Sequence, residues 1–141
     1  MRSPLRQRSR QSALVLAATV FLAAFAVGCS SSDKPAYCTA ASDLKSSVSD
    51  LTNINIDIHD LSSVSSAVNQ VQTDANTFVS EAQAAYPSQT AALKNSLSSL
   101  KTTVTAAIAQ PSVASVAAVV SSVGQVKTAS DNVQTAVSGK C

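Results

Sequence analysis

The chain has 141 residues, of which 45% are hydrophobic and only 13% charged, with three cysteines and a formal net charge of +2. All four arginines, Arg2, Arg6, Arg8 and Arg10, fall in the first ten residues. Ten basic side chains less these four leaves six lysines against eight acids, so the rest of the chain is formally −2. That balance supplies no basic patch for nucleic acid and no polybasic stretch for anionic lipid.

From the N-terminus, the basic residues lead into an apolar run, Ala13 to Val27, then Gly28-Cys29 and the polar cluster Ser30 to Pro35. This is the layout of a secretory signal. The run of about 15 residues is shorter than the ~20 that a membrane-spanning helix needs. No Arg-Arg pair is present, which favours the general secretory route over the twin-arginine one. Two cleavage patterns compete. Ala24-Phe25-Ala26 fits the A-x-A site of ordinary signal peptidase and would release a chain beginning at Val27. Ala26-Val27-Gly28-Cys29 resembles the bacterial lipobox, with Ala26 where leucine is usual. An exported protein with an odd number of cysteines calls for an explanation. Lipid on Cys29 leaves Cys38 and Cys141 as an even pair, so the lipobox is preferred. The expected organisation is a lipoprotein signal peptide over 1–28, a lipidated tether over 29–37 and one domain over 38–141. Two acyl chains then hold the protein stably at a membrane, where one is marginal.

Within the domain, apolar residues recur at steps of 3 and 4. The first stripe reads Ala41, Leu44, Val48, Leu51. The second reads Leu61, Val64, Val68, Val71, Ala75, Phe78, Ala82, Ala85. The third reads Leu93, Leu97, Leu100, Val104 and then Ala107 or Ile108. The fourth reads Val116, Val119, Val123, Val126, Ser130, Val133, Val137. Such spacing marks the buried face of a helix. Valine and threonine suit strands better than helices, but the long seams and the scarcity of turn residues exclude an all-β domain. Thr39 and Asp60 are candidate N-caps. Pro87 and Pro111 divide successive seams, each in the place proline takes in a first helical turn. Helices are therefore expected near 39–52, 60–85, 88–109 and 112–138.

Asn53-Ile54-Asn55-Ile56-Asp57-Ile58 alternates with period 2, the mark of an extended segment with one covered face. At ~3.3 Å per residue it lengthens the short first helix to match the second. The predicted fold is all-α, an antiparallel up-down four-helix bundle whose short first helix is followed by an extended segment over about 53–59. In that topology the first helix begins where the fourth ends. Cys38 and Cys141 then meet, and an oxidising compartment bonds them.

Chemistry-bearing constellations are few. His59 is the one histidine, in Asp57-Ile58-His59-Asp60, without matching ligand spacing elsewhere, and it reads as a solvated turn rather than a metal site. Asp74 and Glu81 share a helix face and read as surface charges. No G-x-S-x-G, glycine-rich phosphate loop or H-E-x-x-H occurs. Neither catalytic nor cofactor-binding residues are expected. Gly124, in mid-helix, marks a close helix contact or a kink, and costs about 1 kcal/mol against alanine if it does neither. The Ser/Thr/Asn/Gln faces read first as a solvent face drawn from a biased composition; they also suit contact with glycan or another envelope protein, and offer hydroxyls for O-linked sugar.

The lipobox around Cys29, Cys38-Thr39-Ala40-Ala41-Ser42-Asp43-Leu44-Lys45-Ser46-Ser47-Val48 at the domain start and Gly139-Lys140-Cys141 at its end together resemble small actinobacterial cell-envelope lipoproteins. The resemblance implies an extracytoplasmic, lipid-anchored helical domain and brings no catalytic residues. Peptidoglycan-linked lipoproteins differ, since their attachment lysine is terminal whereas Lys140 is followed by Cys141. The expected partners are the membrane, through lipid on Cys29, and an envelope protein or cell-wall polymer. A core of Val and Ala reads first as dry and thin; the alternative function is a carrier holding a small apolar ligand in a cavity that such small residues leave between helices.

Overall fold

The computed structural model describes residues 34–141. Four helices account for most of them: α1 Ala36–Asn53, α2 Leu61–Ala82, α3 Pro87–Ala109 and α4 Val113–Val137. Each packs on its neighbours in chain order, and α4 closes the ring on α1. Diagonal helices do not approach one another, and the α1–α2 and α3–α4 faces are the more extensive. This is the antiparallel four-helix bundle that the four stripes predict.

The stripes form the core. Leu44, Leu51, Val64, Val71, Phe78, Leu93, Leu100, Val119, Val126 and Val133 are fully buried. Where the third stripe offered two ends, Ala107 is buried and Ile108 is 49% exposed. Ala85 leaves the core, because α2 stops at Ala82. The amides of Ala85 and Tyr86 both fold back onto the Ala82 carbonyl, at 3.0 and 2.8 Å. Pro87 disfavours the helical conformation at Tyr86 (φ −133°, ψ 59°) and forces that early stop.

Helix starts follow local chemistry. Thr39 is not the first cap: α1 begins three residues earlier, after Pro35, whose ψ of 147° is extended. Cys38 therefore lies in the first turn, its amide bonded to the Pro35 carbonyl at 2.9 Å. Pro87 occupies the first turn of α3, where the missing N–H costs no helical bond. Ser112 caps α4 in a reciprocal pair. Its hydroxyl accepts from the Ser115 amide at 3.1 Å, and its own amide donates to Ser115 Oγ at 2.9 Å.

Asp60 is the cap of α2. It accepts from the Ser63 amide at 3.3 Å, the Ser63 hydroxyl at 2.8 Å and the Ser62 hydroxyl at 3.1 Å. These bonds, led by the Ser63 hydroxyl, hold the Asp60 carboxyl below its ordinary value. A carboxylate lowered in the folded state adds stability above its unfolded pKa, and that stability is lost as pH falls through the folded value. Asp60→Ala is expected to lower the melting temperature by a few degrees at neutral pH, with a smaller gap from wild type in strong acid. Thermal melts of both proteins across that range test it.

Between α1 and α2 the period-2 pattern holds: Ile54, Ile56 and Ile58 are half-buried, while Asn55 and Asp57 are exposed. Ile54 and Ile56 pack on the core. With 18 and 22 residues, α1 and α2 are about 27 and 33 Å long. The gap is smaller than the sequence lengths imply, and the segment spends its remaining residues on a turn. There the His59 amide donates to Asp57 Oδ1 at 2.9 Å and the Asp60 amide to the Asp57 carbonyl at 3.2 Å.

Gly124 is in the interior of α4, and a Cβ added there would meet nothing within 4 Å. The close-contact reading of this glycine is therefore replaced. It costs the helix about 1 kcal/mol relative to alanine with no packing inside the chain in return.

Candidate functional site

The disulfide end brings together the two cysteines that the sequence pairs. Cys38 and Cys141 are bonded, with their Cα atoms 5.5 Å apart. The start of α1, the α2–α3 joint and the end of α4 meet there, because the helices alternate in direction. Tyr37 precedes the cysteine and packs edge-on against Tyr86 from the joint, with ring centroids 5.3 Å apart. Two terminal segments and one joint are thus tied by a covalent bond and an aromatic pair. Cys29 lies outside the described residues.

One polar tie in this region has no local sequence signal. Gln134 Nε2 on α4 donates to the Ala41 carbonyl on α1 at 2.6 Å. That carbonyl sits within a helix, so the bond is additional to the helical ladder and fixes the α1–α4 register. No buried side-chain polar atom among the described residues lacks a partner. Thr90, for instance, is 2% exposed and donates to the carbonyls of Tyr86 and Pro87.

At the opposite end, His59 is exposed and its neighbours are engaged: Asp57 accepts from the His59 backbone and Asp60 caps α2. Among the described residues no three His, Cys, Asp or Glu side chains cluster for a metal ion. Asp74 is half-buried and accepts from Gln70 at 3.1 Å, whereas Glu81 is exposed.

The grooves between helices open to solvent. One of about 420 Å³ runs over α3 and α4, lined by Ala92, Ser96, Ser121, Gly124, Gln125 and Thr128 among others, none of them charged. A second, of about 530 Å³, lies at the far end between Ile58, Leu61, Ile108 and Pro111. Charge is segregated. The hairpin from α1 through α2 holds one lysine against six acids, net −5. The part from α3 to the C-terminus holds four lysines against one acid, net +3.

No family model, curated protein or solved structure matches this chain.

Proposed function

We propose that the chain is an exported lipoprotein, held at the outer face of a cell membrane by lipid on Cys29. Its helical bundle has a non-enzymatic role there, structural or in contact with an envelope protein or wall polymer. The observation that carries this reading is the cysteine pairing. Cys38 and Cys141 use each other, which leaves Cys29 alone at the foot of a signal-like apolar run. A structural disulfide also belongs in an oxidising compartment outside the cytoplasm. The weakly charged Ser/Thr/Asn/Gln surface suits hydrogen bonding to a neutral polymer or another protein.

Cell fractionation and mass spectrometry of the processed chain test the proposal. The N-terminal peptide is expected to begin at Cys29 and carry acyl chains, with the protein in the membrane fraction. Cys29→Ala is expected to block lipid transfer and leave the chain unacylated. A wild-type chain beginning at Val27 with an unmodified Cys29 overturns the proposal.

A further inference from the structure

The N-terminal half of α4 is apolar around more of its circumference than one bundle covers. Val119 and Val123 face the core, while Val113 is 84% and Val120 51% exposed. Ala114, Ala117 and Ala118 are exposed beside them. A helix apolar on most sides belongs in the interior of something larger. No helix among the described residues is long and apolar enough to cross a membrane.

The same face holds a matching recess. Gly124 follows Val113 by close to three turns, about 16 Å along the axis, and so points the same way. It lies in the uncharged groove with Ala92, Ser96, Ser121 and Thr128. A side chain there would be unopposed within the chain, so the room that the glycine leaves is on the outside.

We propose that this face joins two copies of the chain, antiparallel about a twofold axis midway between Val113 and Gly124. Val113 of each copy then seats over Gly124 of the other. Projection and recess lie on one helix face, so a single twofold operation satisfies both at once. Charge points to the same occupant. A twofold contact sets a surface against itself, which penalises any face of net charge, and the α1–α2 hairpin is excluded on that ground. No charged residue occurs from Thr102 to Val126. The first charges beyond, Lys127 and Asp131, pair with each other at 2.6 Å. An acidic or basic partner finds nothing here to pair with. The pairing does not depend on lipid at Cys29.

The test is the mass of the protein component of the full chain, measured by light scattering over a dilution series. Twice the mass of one chain is expected, dissociating on dilution. Val120→Glu and Gly124→Leu are each expected to weaken dimerisation by about tenfold or more, equivalent to ~1.4 kcal/mol. Circular dichroism should show Val120→Glu as helical as wild type, since that side chain is half exposed already. A single-chain mass throughout, or a dimer that Val120→Glu leaves unchanged, overturns the proposal. Weakening by Val120→Glu without weakening by Gly124→Leu overturns the seating of Val113.

Discussion

Replacing Cys141 by Ser is expected to lower the melting temperature of the folded chain by about 10–20 °C. The Cys38–Cys141 bond spans a sequence separation of 103 residues, and closing a loop of that size stabilises by up to ~4.7 kcal/mol in the chain-entropy model. Observed losses from removing a native disulfide in a small domain are about 2–5 kcal/mol. In a domain of this size each kcal/mol moves the midpoint by roughly 4 °C or more. The dependence is strong because the core is thin. Of its 24 apolar members most are valine or alanine, which bury less area than leucine or phenylalanine and so contribute less per residue. Cys38→Ser should match Cys141→Ser, and reducing agent should bring the wild type to the same midpoint. Differential scanning calorimetry with and without reductant checks all three, and an unchanged midpoint would contradict the assignment of the bond as a staple.

Phe78→Ala is the second large effect, expected to cost about 3–5 kcal/mol. Phe78 is 0% exposed and is the largest fully buried side chain of the bundle. The rest of the buried apolar core is valine, leucine and alanine, each smaller than the ring that the substitution removes. Against a total stability of about 5–15 kcal/mol for an ordinary domain, such a loss takes a large share. Phe78→Leu keeps most of the apolar volume and is expected to cost far less. Urea titration of both variants, with the disulfide intact, separates the volume effect from unfolding caused by cross-link loss. Equal midpoints for wild type and Phe78→Ala would mean that the ring does not pack as described.

How much of this fold was legible in the sequence depends on the kind of signal. Long helices repeat their buried face, so the four seams could be read from spacing alone, down to Val64 and Val133, and the topology then brought Cys38 to Cys141. Helix ends are less legible, because a cap is a single residue in competition with its neighbours. Asp60 was recognisable as an acceptor just before a seam. Thr39 was equally suitable in type, but Pro35 begins the helix earlier and leaves Thr39 inside it. The Ser112–Ser115 box carries no distinct signal, because the usual partner at that position is Glu or Gln, and a serine there is one among many in this chain. Ala85 continued the heptad arithmetic, yet Pro87 overrode it by setting the Tyr86 backbone. The Gln134–Ala41 bond and the Tyr37–Tyr86 pair join residues far apart in sequence, which periodicity does not describe. The proposed lipid site at Cys29 rests on the linear chain alone and lies outside the described residues.

Joining Cys38 to Cys141 also makes the domain a closed covalent ring. One place for a protease to cut is the segment with exposed Asn55 and Asp57, between α1 and α2. One cut there opens the ring into a line without dividing it: the α1 piece stays attached to the rest through the disulfide, and α1 remains in its place against α2 and α4. The nicked molecule is two chains held by one disulfide, with new ends at the far side of the bundle. On a denaturing gel it runs as a single species until reductant is added, when the α1 fragment separates.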